Sequence, residues 1–384
     1  MSTPSLNSSP APAQASELAL RISPLAGWVL AFFLAAGLLS NLWWFCRGKV
    51  DWLPPDLTAD AILHGEVTHK LAKQLSSALL PQQAAGFERG ASWLLLNDSG
   101  PRVRQGCPGW LFIADEFKLN RQAQANAQAK AAAVIEAHRQ LRQRGVQLLL
   151  AVVPDKSRIA SEQLCGLYRP GQFDARISTW VGQLQAVGVD AMDLTPALQT
   201  QGAQAFLRTD THWSEEGANA AALALAGHIQ ASGFKATPQQ HFDSQREAMA
   251  PRPGDLVRLA GLDGLPLSLQ PPMQSVAATR ISAQAKPVAA GADNLDDLFG
   301  DDNLPNVALI GTSFSHNSSF SDFLQYALGA PLGNFAKDGG EFSGAATAYF
   351  SSPAFRQTPP KLLVWEIPER DLQTPYGEEI KWAP

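Results

Sequence analysis

The sequence predicts an α/β fold, an α/β/α sandwich with a mostly parallel sheet, preceded by one N-terminal transmembrane helix. Three observations predict it: a long uncharged run near the N-terminus, later apolar runs of strand length, and helical segments that alternate with those runs. The chain has 384 residues, of which 45% are hydrophobic and 17% are charged. This composition supports a sizeable core and excludes both wholesale disorder and a disulfide-dense scaffold.

The uncharged run covers residues 25–45, LAGWVLAFFLAAGLLSNLWWF. At about 1.5 Å per residue it spans the hydrocarbon layer of roughly 30 Å. Tryptophans lie at both ends of the run, as in an interfacial aromatic belt. We expect an uncleaved transmembrane helix. A cleaved signal peptide and a buried core helix are the alternatives, although the run lacks the small-residue exit of a cleavage site.

The segments that flank this helix predict a tail, a connecting region and the orientation of the helix in the membrane. Residues 1–24 are rich in Ser, Pro, Ala and Gln and predict a disordered tail, whereas residues 46–100 predict a connecting region. Arg21 precedes the helix, and Arg47 and Lys49 follow it. The positive-inside rule would therefore place the large C-terminal part in the cytoplasm, but the bias is small. The catalytic interpretation given below favours the periplasmic side.

The elements of the main domain, predicted over 101–384, begin with a short strand at 110–113. The Ala/Gln-rich segment 122–144 predicts a helix, and Gly145 is well placed to end it. The segment VQLLLAVVP at 146–154 is almost uninterruptedly apolar, which is typical of a strand buried on both faces. A helix followed by such a strand indicates a parallel sheet covered by helices.

Later elements alternate in the same way, with helices at 175–187 and 214–231 and strands at 189–194, 306–311 and 362–367. Ser214 can cap its helix, and two glutamates occupy the first turn, where the helix dipole favours acids. The segment 233–303 is heavy in Pro, Gln and Ala and predicts a loop-rich insertion. The layout therefore predicts one sandwich domain with an irregular insertion before its last third.

A candidate nucleophile follows the strand 306–311. The segment Gly311-Thr-Ser313 places Ser313 at the carboxyl end of the predicted sheet, where open α/β folds bind ligands. A glycine at 311 allows backbone to approach a ligand closely and frees amide groups for an oxyanion. An ordinary turn is the alternative interpretation of so short a motif.

A candidate base and its acid lie in RTDTHWSEEG at 208–217. Asp210 and His212 are two residues apart, so their side chains project on one side of extended backbone. A serine nucleophile needs a base, and the base needs a carboxylate that fixes its tautomer and stabilises the imidazolium. The alternatives are a capping aspartate beside a surface or metal-binding histidine, and His316 as a rival base, for which the sequence shows no evident acid.

Several motifs together resemble a known family. GTSFS at 311–315 and TDTHW at 209–213 look like the serine and Asp-His motifs of SGNH-type acyl-ester enzymes in permuted chain order. With GWLF, VVPDKSRI, DLFGDD, NFAKDGG and VWEIPERDL, they resemble the alginate O-acetyltransferase family of the AlgJ and AlgX type. The resemblance covers about residues 100–375. It implies Ser313 as nucleophile, His212 as base and Asp210 as its orienting acid.

The resemblance further implies an SGNH-hydrolase-like domain that transfers acetyl groups to exopolysaccharide hydroxyls through an acetyl-serine. It implies a bacterial inner-membrane anchor, a periplasmic catalytic domain, a membrane-bound O-acyltransferase partner that supplies the acetyl donor, and exopolysaccharide export machinery. A carbohydrate acetyl-esterase with the same triad and a non-catalytic polysaccharide-binding component remain alternatives. No cofactor is implied, and no Cys/His spacing predicts a zinc site.

Other charged and aromatic residues near these motifs are also candidates. Lys156 and Arg158 follow the strand 146–154, so they either contact an anionic saccharide or are solvated loop charges. Trp213 is a core residue, a lid over His212 or a sugar-stacking platform. Glu366 and Arg370 predict a structural ion pair, with a role in the site as the alternative.

The motif NFAKDGG supplies the remaining candidates for an oxyanion site. Asn334, Gly339 and Gly340 fit a loop that lends backbone amides, or an amide side chain, to an oxyanion. An ordinary glycine turn is the alternative.

The three cysteines and the net charge bear on location and partners. Cys46 lies at the membrane edge, which leaves Cys107 and Cys165 as a candidate disulfide if the domain is periplasmic. In the cytoplasm both would stay reduced. The formal net charge is −5 and no Lys/Arg-rich run occurs, which argues against nucleic acid as a partner.

Overall fold

The computed structural model describes residues 23–47, 57–284, 304–377 and 379–382. The tail predicted at 1–24 lies almost wholly outside the described residues, as does the DLFGDD motif within 285–303. The chain forms two compact units, Met1–Glu88 and Arg89–Pro384. The second unit carries all of the candidate site residues.

The described helices have the following bounds: α1 Pro24–Cys46, α2 Ala59–Leu63, α3 Glu66–Ser76, α4 Leu79–Leu96, α5 Ala123–Gln143, α6 Lys156–Ile159, α7 Arg176–Gln185, α8 Thr195–Gln199, α9 Glu215–Ala231, α10 Asp255–Leu259, α11 Phe320–Leu328, α12 Gly344–Phe350 and α13 Pro353–Gln357. The strands are β1 Val103–Gln105, β2 Leu111–Ile113, β3 Gln147–Val153, β4 Asp190–Asp193, β5 Phe242–Arg246, β6 Ala250–Arg252, β7 Gln274–Val276, β8 Thr279–Ala283, β9 Val307–Ile310, β10 Gly333–Asn334 and β11 Leu362–Pro368.

Helix α1 coincides with the predicted membrane segment. The Ser23 hydroxyl accepts the Ala26 N–H as an N-cap, and Pro24 occupies the first helical position, where its missing N–H costs nothing. None of the helix's residues is buried, which argues against a core helix. It is long and apolar enough to cross a membrane. A signal sequence near the N-terminus has the same length and composition.

The main sheet has five parallel strands in the order β10-β9-β11-β3-β4. Every residue of β9 and β11 is buried, which explains their uninterrupted apolar patterns. Alternate residues of β3 point to opposite faces. Leu148, Leu150 and Val152 pack with α5 and α7, whereas Leu149, Ala151 and Val153 pack with α9 and α11. The predicted α/β/α sandwich with a parallel sheet is thus confirmed.

The segment 233–303 is more regular than predicted in its described part. Strands β5 and β8 pair antiparallel, as do β6 and β7, and α10 lies between β6 and β7 in the chain. The strand predicted at 110–113 is β2, but it pairs antiparallel with β1 in a separate two-stranded sheet and does not join the main one. A disulfide between Cys107 and Cys165 joins the turn between β1 and β2 to the chain after α6.

Candidate active site

Three side chains from two distant parts of the chain meet in a continuous hydrogen-bonded series. The Ser313 Oγ lies 2.7 Å from His212 Nε2, and His212 Nδ1 lies 2.6 Å from Asp210 Oδ1. Asp210 and His212 are buried, whereas Ser313 is partly exposed. The imidazole therefore stands between the hydroxyl and the carboxylate, as a serine nucleophile, its base and the orienting acid require.

Local backbone structure holds each member of this group. Strand β9 ends at Ile310, and Ser313 begins a 3₁₀ turn, Ser313–His316, capped by Thr312. On the other side, a β-bridge between Phe206 and Trp213 closes the loop that carries Asp210 and His212. The predicted cap of α9 is confirmed, since the Ser214 hydroxyl accepts the Gly217 N–H.

The charge of Asp210 is stabilised by its neighbours. Burial by itself would raise the pKa of this carboxyl, but hydrogen bonds from the ring and backbone N–H of His212, with the attraction of the imidazolium and Arg252, lower that pKa to about 2. Asp210 is therefore a carboxylate at neutral pH, which favours a proton on Nδ1 and leaves Nε2 to accept one from Ser313.

A buried carboxyl lies beneath the nucleophile. Glu366 on β11 accepts the Thr312 N–H at 2.7 Å and the Ser315 hydroxyl at 3.1 Å, so it braces the residues on both sides of Ser313. A Cβ at Gly311 would lie 2.5 Å from Glu366 Oε2. Gly311 is therefore required here for the close approach of Glu366, a reason different from the ligand approach that the sequence suggested.

Glu366 should also make stability depend on pH. Burial raises its pKa from 4.5 to about 7. The folded state then keeps a proton that the unfolded chain releases, so its contribution is fully present below 4.5 and is lost as the pH rises through about 7. Across this window we expect wild type to lose about 3 kcal/mol more than Glu366→Gln, measured by urea unfolding at several pH values. Parallel stability curves for the two proteins would contradict this assignment.

Lys156 and Arg158 do not reach a substrate surface. Lys156 is 1% exposed, and its ammonium donates to the carbonyl oxygens of Leu111, Arg208 and Asp210 at 2.7 to 3.0 Å. Three carbonyl acceptors satisfy all three of its protons. Arg158 pairs with Glu369 at 2.6 Å. The expectation of a saccharide contact at these residues is corrected: both hold loops together from inside the domain.

The alternatives at Trp213, Glu366 and Arg370 are resolved by position. Trp213 has no exposed surface and stacks among Phe314 and Phe320, so it is a core residue and does not form a sugar platform. Glu366 is engaged by the Thr312 and Ser315 groups, whereas the Arg370 guanidinium lies 5.3 Å from the centre of the Phe314 ring. The structure thus records no direct Glu366–Arg370 ion pair among the described residues.

The NFAKDGG segment runs beside Ser313, but two of its candidate oxyanion donors already bond to other groups of the protein. Asn334 donates from Nδ2 to the Ser315 carbonyl at 3.0 Å, and the Gly340 N–H donates to Lys337 within a turn. Gly339 is exposed and has φ +65°, which favours glycine. This segment also supplies the acid that the sequence did not reveal for His316: Asp338 Oδ1 lies 2.8 Å from His316 Nδ1. Ser313 therefore bonds to His212, whereas His316 pairs with Asp338 and does not contact the Ser313 hydroxyl in the described structure.

The structure adds residues that sequence reasoning missed, and they come from the insertion. Asp255 Oδ2 lies 3.8 Å from His212 Nδ1. Arg252 Nη2 donates to Asn317 Oδ1 at 2.8 Å, and Asn317 Nδ2 donates to the Ser313 carbonyl at 2.8 Å. No spacing pattern could have revealed Arg252 or Asp255, because both lie in a segment that reads as loop.

Asp210, His212 and Asp255 each place one ligand-type atom within 4.8 Å of the others. This spacing is compatible with a metal ion. However, Asp210 and His212 are already joined by a 2.6 Å hydrogen bond, and Asp255 accepts two hydrogen bonds from Thr211. The donors and acceptors thus satisfy one another, and we treat the group as part of the Ser–His–Asp arrangement.

A cleft of about 380 Å³ opens beside Asp210, with Arg252, Asp255, Arg258 and Asn317 in its lining. Cavities of about 400 and 550 Å³ lie elsewhere on the domain, but their linings contain no member of the triad. Because its lining includes Asp210 of the triad, and Asn317, which bonds the Ser313 carbonyl, this cleft is the candidate site for the acceptor.

Comparisons with known proteins identify the family. A family model described as SGNH hydrolase-like domain, acetyltransferase AlgX, matches residues 103–369. The chain is 34% identical over 319 residues to the probable alginate O-acetylase AlgJ of Pseudomonas aeruginosa, covering 81% of each chain. It is 32% identical over 355 residues to the Azotobacter vinelandii protein of the same name, covering 91% of this chain and 89% of that one. The solved O-acetyltransferase domain of Pseudomonas putida AlgJ matches with TM-score 0.61 and 32% identity over 72% of this chain and 94% of that chain.

The fold and these matches define the class: an SGNH hydrolase-like α/β enzyme, specifically an O-acetyltransferase. The chain belongs to the AlgX acetyltransferase family, and its relatives at 34% and 32% identity are of the AlgJ type. The resemblance that the sequence motifs suggested is thereby confirmed.

Proposed function

We propose that this protein transfers acetyl groups from an ester donor to hydroxyls of an exopolysaccharide through an acetyl-Ser313 intermediate. The observation that carries this proposal is the continuous series from Ser313 Oγ through His212 to Asp210, with separations of 2.7 and 2.6 Å. These are hydrogen-bonding distances, so the hydroxyl proton can pass to Nε2 without rearrangement of the site.

In the first half-reaction the Ser313 hydroxyl gives its proton to His212 Nε2 while its oxygen attacks the acetyl carbonyl of the donor. Asp210 stabilises the imidazolium. Among the described residues the Ser313 N–H has no hydrogen-bond partner, which leaves it available to the oxyanion. Collapse of the tetrahedral intermediate breaks the donor C–O bond, and the departing alkoxide takes the proton from His212.

In the second half-reaction a sugar hydroxyl attacks the acetyl-serine carbonyl and gives its proton to His212. A second tetrahedral intermediate then expels Ser313, which recovers that proton. Each half-reaction thus balances without a cofactor. The cleft that borders Asp210 and contains Arg252 and Arg258 suits an acceptor beside the acyl-serine, and arginine forks match carboxylates of an acidic sugar.

The names of the AlgJ relatives support alginate as the acceptor polymer. We further propose that α1 anchors the protein in the bacterial inner membrane with the catalytic unit in the periplasm. The Cys107–Cys165 disulfide supports this side, since such bonds persist in oxidising compartments. A membrane-bound O-acyltransferase would then deliver the donor across the membrane, close to the export machinery.

Mass spectrometry after exposure to an activated acetyl ester tests the intermediate. We expect one added acetyl group on the peptide that contains Ser313, and none in Ser313→Ala, because among the described residues Ser313 has the only hydroxyl on His212 Nε2. Ser178→Ala, an exposed serine on α7, is the matched control and should still be acetylated on Ser313.

Addition of an oligosaccharide then separates the two enzymatic alternatives. Acetylated sugar supports the transferase, whereas free acetate without acetylated sugar would favour the esterase. Absence of any adduct on Ser313, with the protein folded, would overturn the acyl-enzyme proposal.

A further inference from the structure

The insertion contacts the catalytic loop through a short segment at the start of α10. The Leu256 N–H donates to the Thr209 carbonyl at 3.2 Å, and the Asp255 N–H donates to Asp210 Oδ2 at 3.3 Å. A Cβ at Gly254 would lie 1.9 Å from the Thr209 carbonyl oxygen, so only glycine allows so close an approach. The segment 254–256 is thus fitted against the backbone of the Asp-Thr-His loop.

The Asp255 side chain is directed at the same loop. Its Oδ1 accepts the Thr211 N–H at 2.7 Å, and its Oδ2 accepts the Thr211 hydroxyl at 2.5 Å. Both partners donate, so Asp255 acts as an acceptor-only carboxylate in this arrangement. Its Oδ2 is 3.8 Å from His212 Nδ1, outside hydrogen-bonding distance but close enough for a strong charge interaction.

We propose that Asp255 is a positioning residue of the active site, a second carboxylate that fixes the Asp210–His212 loop and stabilises the charged form of His212. The inference rests on the proposed function, in which His212 becomes an imidazolium whenever Ser313 or the acceptor loses its proton. It makes the insertion a working part of the catalytic apparatus.

The other charges around the histidine come from several elements. Asp210 contributes from the same loop, Arg252 Nη2 lies 4.0 Å from Asp210 Oδ2, and Lys156 interacts electrostatically with both Asp210 and Asp255. Burial raises the pKa of Asp255, and the charge of Asp210 raises it further. Arg252 opposes the two carboxylates, as does Lys156, whose pKa burial lowers to about 7, so removal of one carboxylate makes the local charge more positive.

The experiment measures the pH midpoint at which the His212 ring gains its proton, by NMR of the full chain with labelled histidine in detergent micelles. Comparison with His212→Gln assigns the signal. In Asp255→Asn we expect the midpoint to fall by about one pH unit, because a negative charge near the ring favours its protonated form. Asp243→Asn, an exposed aspartate of the same insertion, is the matched control and should leave the midpoint unchanged.

The midpoint is read without substrate, so its outcome is separate from that of the acylation test. An unchanged midpoint in folded Asp255→Asn would overturn the proposal, whereas a lost Ser313 adduct in wild type would overturn only the proposed function. If the asparagine variant does not fold, Asp255→Ser, which leaves room for water, makes the same comparison. The acid limb of the pH profile for Ser313 acylation should move to lower pH with the midpoint, and a purely structural role would lower the rate without moving it.

Discussion

Replacement of Ser313 by alanine is expected to lower the rate of acetyl transfer by about four to six orders of magnitude. The hydroxyl is the only group on His212 Nε2 among the described residues, so its loss removes the covalent route as a whole. The backbone amide and the cleft remain in the variant. The residual rate should therefore be that of an unassisted transfer from a bound donor.

The measurement is acetyl content of the exported polymer in cells that carry only the variant, together with the rate of acetyl-ester turnover by the purified full chain. Ser178→Ala, an exposed serine on α7, serves as the matched control. Both variants must be present at equal amounts. Normal polymer acetylation with Ser313→Ala would favour a non-catalytic assembly component over an enzyme at this site.

Replacement of Glu369 by alanine should lower the free energy of unfolding by about 3–5 kcal/mol. This carboxylate has no exposed surface and accepts from Arg158 at 2.6 Å, from Arg169 at 3.0 Å and from the Asp155 N–H at 2.9 Å. Without it, the Arg158 guanidinium, whose side chain is 13% exposed, loses its acidic partner, and Arg169 keeps only Asp174 at 2.7 Å. The cost is mainly that of leaving the Arg158 charge unpaired in a poorly solvated place, which exceeds the net value of the ion pairs themselves.

Urea unfolding followed by circular dichroism measures this effect. Glu136→Ala is the control, since Glu136 is half exposed and pairs with Arg139 on the surface of α5, and it should cost less than about 1 kcal/mol. If the free energy of unfolding of Glu369→Ala lies within about 1 kcal/mol of the wild-type value, the prediction is wrong. Water or another acid would then compensate the two arginines.

The buried strands were predictable because burial on both faces requires an uninterrupted run of apolar residues. The predicted segments 146–154, 306–311 and 362–367 correspond to β3, β9 and β11 within a residue or two. Strand order was not predictable. Strand β11 pairs between β3 and β9, and no residue pattern within a single strand indicates its neighbours. The short strand β10 spans Gly333–Asn334, too few residues to show a periodicity.

The triad could be proposed from motifs, whereas its surroundings could not. Lys156 looked like an exposed loop charge because its buried position depends on three carbonyl oxygens from other segments. Asp255 lies 45 residues after Asp210 in sequence, within an irregular composition, and its role depends on a close backbone approach at Gly254. Residues whose partners are distant backbone atoms carry no local pattern, so only coordinates reveal them.

The central position of β11 has a consequence for biosynthesis. This strand is the last of the main sheet in chain order, yet it pairs with β3 on one side and β9 on the other. A nascent chain that has emerged only as far as α13 therefore lacks the strand that joins the pair β10-β9 to the pair β3-β4. The edges of β9 and β3 that β11 would cover are then unpaired. We expect such a chain to depend on chaperones until its synthesis is complete. A stop codon a few dozen codons early should yield a product that proteases remove.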